Sequence, residues 1–190
     1  VKRRDVLELL ALAPLAAAFN WAPAEVRRAA WHAGRATQRR FLTPREWETV
    51  RVLVDLVIPR DARSGSATDA GVPEFMDFIV AENEGMQAPM RGGLAWIDLE
   101  SRRRYAKTFV AATAAEQRAL LDDIAWPERA RAELGPGVAF FTSFRDLTAS
   151  GFWSSKMGVA DLSYLGNTTL ADWRGCPPEA LDKLGVRYED

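Results

Sequence analysis

One histidine and one cysteine, His32 and Cys176, are all that this chain of 190 residues offers to the commonest metal-ligand and proton-transfer chemistry. A centre built on several histidines, a multi-histidine acid–base site and an internal disulfide framework are thereby excluded. His32 follows Trp31 in a polar neighbourhood with no partner cluster, and reads as a surface or capping residue. Carboxylates are plentiful, but the close pairs do not face one cleft. Asp122 with Asp123 and Glu82 with Glu84 are adjacent or two apart on expected helices, and only residues three or four apart share a helix face. A carboxylate hydrolase would have to be assembled from distant positions. The loop from Arg60 to Val72 holds Gly65 and Gly71, a spacing that matches neither a phosphate loop nor a dinucleotide fingerprint, and no strand precedes it. It reads as a helix–helix connection or a contact loop. Cys176 lies between Gly175 and Pro177-Pro178, with two readings open. It is a buried free thiol or, in an oxidising compartment, half of a disulfide to another chain.

The one strong local signal is Arg3-Arg4, followed by the apolar run Leu9 to Phe19. A paired arginine ahead of a short hydrophobic run marks twin-arginine export, which carries folded proteins across a bacterial inner membrane. The run has 11 residues, well short of a membrane span, and Pro14 and its alanines keep it only mildly hydrophobic. Ala16 and Ala18, or Ala22 and Ala24, provide small residues at A-x-A spacing for cleavage. Asp5, Val6 and Glu8 depart from the usual signal, and the competing reading is an amphipathic helix with both arginines on its polar side. Residues 1–24 are expected to be the export signal, which places the protein in the periplasm. Residues 25–40 read as a linker or arm.

Composition narrows the partners. Hydrophobic residues at 48% and charged residues at 27% describe a globular chain. A net charge of -1 provides no field to recruit nucleic acid or an anionic membrane face. The triplet Arg102-Arg103-Arg104 reads as a solvated helix face. Seven tryptophans are many for this length and favour interfaces as well as cores.

The elements that would position any site are helical. Thr43-Pro44-Arg45-Glu46 combines a capping box with proline at the first helical position, and Trp47, Val50, Leu53, Val54, Val57 and Ile58 follow at helical spacing until Pro59. A second helix is expected from Pro73 to Glu84. A third is expected from Met86 to Tyr105, with Met90, Leu94, Ile97 and Leu99 inward and Gly92-Gly93 weakening its start. Thr113 and Glu116 form a second capping box, opening a helix that ends before Pro127. Pro136 opens another through Phe140, Phe141, Phe144 and Leu147. The fold class is therefore all-α: an irregular bundle of about five or six helices over residues 41–150. From Gly151 to Asp190 helical periodicity is lost while aromatics persist, which describes a long, poorly regular segment that packs on the domain or on a partner subunit.

Several of these stretches resemble the gluconate 2-dehydrogenase subunit 3 family. They are the Phe41-Leu-Thr-Pro-Arg-Glu-Trp47 opening, the Val57-Ile-Pro-Arg-Asp61 exit, the Ser66 to Val72 loop, the Phe140-Phe141 pair, Tyr164-Leu-Gly-Asn167 and Trp173-Arg-Gly-Cys-Pro177. The resemblance implies a small non-catalytic subunit of a periplasmic sugar, gluconate or glycoside (3-)dehydrogenase complex. Its catalytic partner would be a FAD-dependent glucose-methanol-choline-type flavoprotein, exported as a hitch-hiker on this chain's signal. A cytochrome c subunit is a further partner that the resemblance admits, and membrane contact would come only through the signal or that cytochrome. No cofactor is expected on this chain itself. The expected functional residues are Arg3 and Arg4 in the signal, and Phe152, Trp153, Tyr164, Asn167, Trp173 and Cys176 at the partner interface. The alternative is a periplasmic scaffold or chaperone-like protein with no flavoprotein partner.

Overall fold

The computed structural model describes residues 39–164 and 175–188. Arg3, Arg4, Asn167 and Trp173 lie outside the described residues, as do the expected signal and almost all of the arm. Every regular element among the described residues is helical, so the protein is an all-α irregular bundle. Seven α-helices lie among the described residues: α1 Pro44–Val57, α2 Val72–Glu82, α3 Glu84–Tyr105, α4 Ala114–Ala125 and α5 Gly135–Ser154, which are the helices of the expected bundle, and α6 Lys156–Asp161 and α7 Pro178–Leu184, which fall in the segment expected to be poorly regular. A short 3-10 turn, Ala132–Leu134, leads into α5.

Local chemistry sets the helix starts. In α1 the Glu46 N–H donates to Thr43 Oγ1 at 3.3 Å and the Thr43 N–H donates to Glu46 Oε2 at 2.8 Å. The same reciprocal pair opens α4, with Glu116 N–H to Thr113 Oγ1 at 3.3 Å and Thr113 N–H to Glu116 Oε2 at 2.7 Å. Each box satisfies two of the donors that a helix start leaves without partners. Lys107 and these Thr113 bonds hold the Glu116 carboxyl below its ordinary range, the backbone bond contributing most. Helix α7 begins at Pro178 and ends at Gly185, whose φ of 66° is a left-handed stop that glycine adopts without strain.

Helix α5 is the hub, packing against α1, α2, α3, α4 and α6. Its Phe140, Phe141, Phe144, Leu147 and Phe152 are all buried. Such wide coverage requires an element that is apolar on several sides. It crosses α3 through two reciprocal sockets. A Cβ on Gly93 of α3 would lie 1.8 Å from the Phe140 ring of α5, and a Cβ on Gly137 of α5 would lie 2.2 Å from the Trp96 ring of α3. Gly93 thus does more than weaken a helix start: it admits a ring. A third socket, Gly151, receives Phe75 of α2, with ring carbon and ideal Cβ 2.8 Å apart. This contact explains why α5 runs past Ser150 to Ser154, where the sequence pattern suggested that helical order ends.

One inward expectation on α3, Leu99, is corrected. Leu99 is 60% exposed, and Glu100 and Ser101 are buried in its stead, since they continue the stripe of Met90, Leu94 and Ile97 at helical spacing. The arginine triplet is correspondingly not all solvated. Arg104 is mostly buried, donating to Glu100 at 2.7 Å and to Asp123 of α4 at 2.6 Å, while Arg103 holds Glu100 through two bonds of 2.7 and 2.6 Å. Hydrogen bonds from Arg103, then from Arg104, lower the Glu100 carboxyl to about 2 against the opposing effect of burial. Burial opposes the charge on Arg104, but its bonds to Glu100 and Asp123 outweigh that and raise its pKa. The cluster ties α3 to α4 beside the hub.

Candidate partner-docking surface

The C-terminal end of α5 turns sharply into α6. Ser155 makes the turn: its hydroxyl donates to the Phe152 carbonyl at 2.7 Å and accepts from the Gly158 N–H at 3.0 Å, capping α6. Gly158 is required there, because a Cβ would fall 2.1 Å from the Phe152 carbonyl oxygen. Two rings separate at this corner. Phe152 is buried in the hub, 1% exposed, so of the two destinations open to it, its own bundle or another chain, it takes the first. Trp153 stands edge-on to it at 4.9 Å and is 39% exposed. Helix α6 then ends at Leu162 and Ser163, with Ser163 at a left-handed φ of 54°, and presents Leu162 and Tyr164 to solvent.

The loop between α1 and α2 braces α6. Asp61 accepts from the Arg63 and Ser64 N–H groups, each at 2.8 Å, and Asp69 accepts from the Ser66 N–H at 2.8 Å and from Arg60 at 2.5 Å. Those backbone bonds, with the nearby arginines, hold both carboxyls below the ordinary aspartate range. From this ordered loop Arg63 reaches Asp161 at the end of α6, pairing with its carboxylate at 3.2 Å and with its backbone carbonyl. The loop is therefore both a connection and a contact loop within this chain. Between it and α6 lies an open cleft of about 370 Å³ lined by Arg63, Ser64, Met157, Ala160, Asp161 and Ser163. Its arginine is already engaged by Asp161, so the cleft reads as a brace and not as an anion site.

The tail folds on itself. Gly175, at φ 86°, lets the chain turn so that the Cys176 N–H donates to the Tyr188 hydroxyl at 2.8 Å, across the short helix α7. Cys176 is an exposed residue against the described part of the chain. None of the residues of α7 is buried. Leu184, Val186 and Tyr188 are all at least half exposed. Of the strongly exposed large apolar side chains among the described residues, Trp153, Leu162, Tyr164, Leu184, Val186 and Tyr188 fall between positions 153 and 188, and Leu99, Val110 and Trp126 fall before them. The sequence reading named Trp153 and Tyr164 but missed Leu162, Leu184, Val186 and Tyr188. The signal for the last three was present in Pro178 and Gly185, which bracket a short helix.

Of the close carboxylate pairs noted in the sequence, Asp123 pairs with Arg104 and Arg131, and Glu82 pairs with Arg40. Among the described residues no three His, Cys, Asp or Glu side chains are grouped to hold a metal ion, and no helix is long and apolar enough to cross a membrane. The gluconate 2-dehydrogenase subunit 3 family matches the chain over residues 44–171. No curated protein and no solved structure matches it.

Proposed function

The chain belongs to the gluconate 2-dehydrogenase subunit 3 family, and from that premise we propose that it is the non-catalytic small subunit of a periplasmic sugar, gluconate or glycoside dehydrogenase complex. Its role in this reading is to bind, stabilise and export a FAD-dependent catalytic subunit. The observation that carries the reading is the family match across the helical domain, joined to the concentration of exposed apolar side chains between Trp153 and Tyr188. Large exposed apolar groups gathered on one part of a chain favour a protein partner. A flavin site forms only in a folded protein, so a signal on one chain and a cofactor site on another require docking before export. Such docking calls for an interface of roughly 1,200–2,000 Å² in total. Trp153, Tyr164 and the surface around Cys176 are assigned to it, and Asn167 and Trp173 remain with it as sequence-based members.

Co-expression with the large flavoprotein subunit, followed by cell fractionation, tests this. Wild type is expected to give a yellow complex with dehydrogenase activity in the periplasm. Arg3→Lys with Arg4→Lys is expected to leave that activity in the cytoplasm. Sugar oxidation by this chain alone would sink the accessory role. A colourless monomer beside a normally exported flavoprotein would favour a scaffold without a flavin-bearing partner.

A further inference from the structure

Asp77 is a buried carboxylate, 4% exposed, that no part of the docking surface uses. It sits on α2 and receives three consecutive backbone donors from the start of the domain. The Arg40 N–H donates to its Oδ2 at 2.6 Å, and the Phe41 and Leu42 N–H groups donate to its Oδ1 at 3.0 and 2.7 Å. Three N–H groups are donors that no helix or strand takes up here, and a buried carboxylate is their charge-assisted acceptor. Side chains reinforce the grip from the same helix and its neighbour. Arg40 lies over the Phe78 ring at 4.9 Å and donates to Glu82 at 2.9 Å. Arg91 of α3 lies over the Phe41 ring at 4.4 Å and donates to the Phe41 carbonyl at 3.3 Å.

We propose that Asp77 is a latch that fixes the point where the N-terminal arm leaves the domain. Its grip is on backbone, so it holds the direction and register of residues 40–42 whatever side chains they carry. It exists only when α2 is folded onto the core, because the carboxylate is some 35 residues from its donors in sequence. Residues 40–42 are therefore held in the folded domain and released in the unfolded one. Asp77 is a positioning residue, and the latch stands on this geometry independently of the export reading.

Trypsin treatment of the full chain tests it, with the cut bonds identified by mass spectrometry. The Arg39–Arg40 and Arg40–Phe41 bonds are expected to be protected in the wild type, since a protease must take up backbone that Asp77 holds. Asp77→Asn keeps the Oδ1 acceptor but turns Oδ2 into a donor facing the Arg40 N–H. Cleavage at these two bonds should rise by about tenfold or more, the scale of one lost charge-assisted bond. Cleavage of Arg118–Ala119, in the middle of α4, reports global opening and should not change. Glu82→Gln, which removes only the exposed ion pair, should leave the two bonds protected. Equal cleavage in Asp77→Asn and wild type overturns the latch. So does a parallel rise at Arg118–Ala119, which would make Asp77 a general stability residue, or release by Glu82→Gln alone.

Discussion

Glu100 gathers two arginines around one buried carboxylate, and its pKa near 2 turns that arrangement into a pH dependence. A carboxyl depressed in the folded state stabilises the fold above its unfolded value, and that contribution is lost as pH falls through the folded value. The loss should therefore develop between the ordinary value of 4.5 and about 2. Glu100→Gln removes the charge and leaves Arg104 mostly buried beside a neutral amide, which should cost about 2 kcal/mol at neutral pH. Thermal melts over that pH range should show wild type losing its advantage over the variant on acidification. A constant gap would contradict the assignment. Residue-scale features were unequally legible in the sequence. Both capping boxes were, because a box is four residues long and its partners are local. Glu100 and Asp77 were not. A buried acid has no mark of its own, and Asp77 meets its donors only through the packing of α2.

Helix packing puts two glycines of α5 in opposite environments two positions apart. Nothing lies within 4 Å of a Cβ built on Gly135, while one built on Gly137 enters the Trp96 ring. Gly135→Ala should be neutral or stabilising by up to about 1 kcal/mol, because alanine loses less backbone freedom on folding. Gly137→Ala should destabilise by roughly 1–3 kcal/mol as the ring is forced aside, and Gly93→Ala should do the same against Phe140. Denaturant melts of the three variants check this, and equal effects at 135 and 137 would refute the socket. The same sockets explain where element reading failed. Gly151-Phe152-Trp153 looks like the end of regular structure because glycine is a poor helix former. Its lack of a side chain is what lets Phe75 approach, and that is a tertiary reason. The tail failed differently: α7 is seven residues long and buries nothing, so no apolar stripe announces it.

At the scale of the molecule, most of the large apolar side chains that stand exposed among the described residues lie in the C-terminal part, from Trp153 to Tyr188, beyond the hub-centred bundle. If that display is the docking surface, charge placed on it should weaken the complex and spare the subunit. Leu184→Asp and Leu162→Asp should each leave the melting of the isolated subunit nearly unchanged, within about 0.5 kcal/mol. Each should reduce recovery of the flavoprotein in a pull-down severalfold. Leu99→Asp, equally exposed but on α3, is the control and should do neither. Matching losses at all three positions would assign docking elsewhere. The all-α class was legible from periodicity and caps alone, whereas the surface was only half legible, since exposure depends on what the rest of the chain leaves uncovered. The crossing of α3 and α5 has a last consequence, for descent. Two rings seated in two holes leave no gradual route of change: a lineage that places a side chain at position 93 must accept a smaller one at 140, and likewise for 137 with 96. Relatives should therefore differ at these positions in matched pairs, and the pairs themselves would mark separate branches of the family.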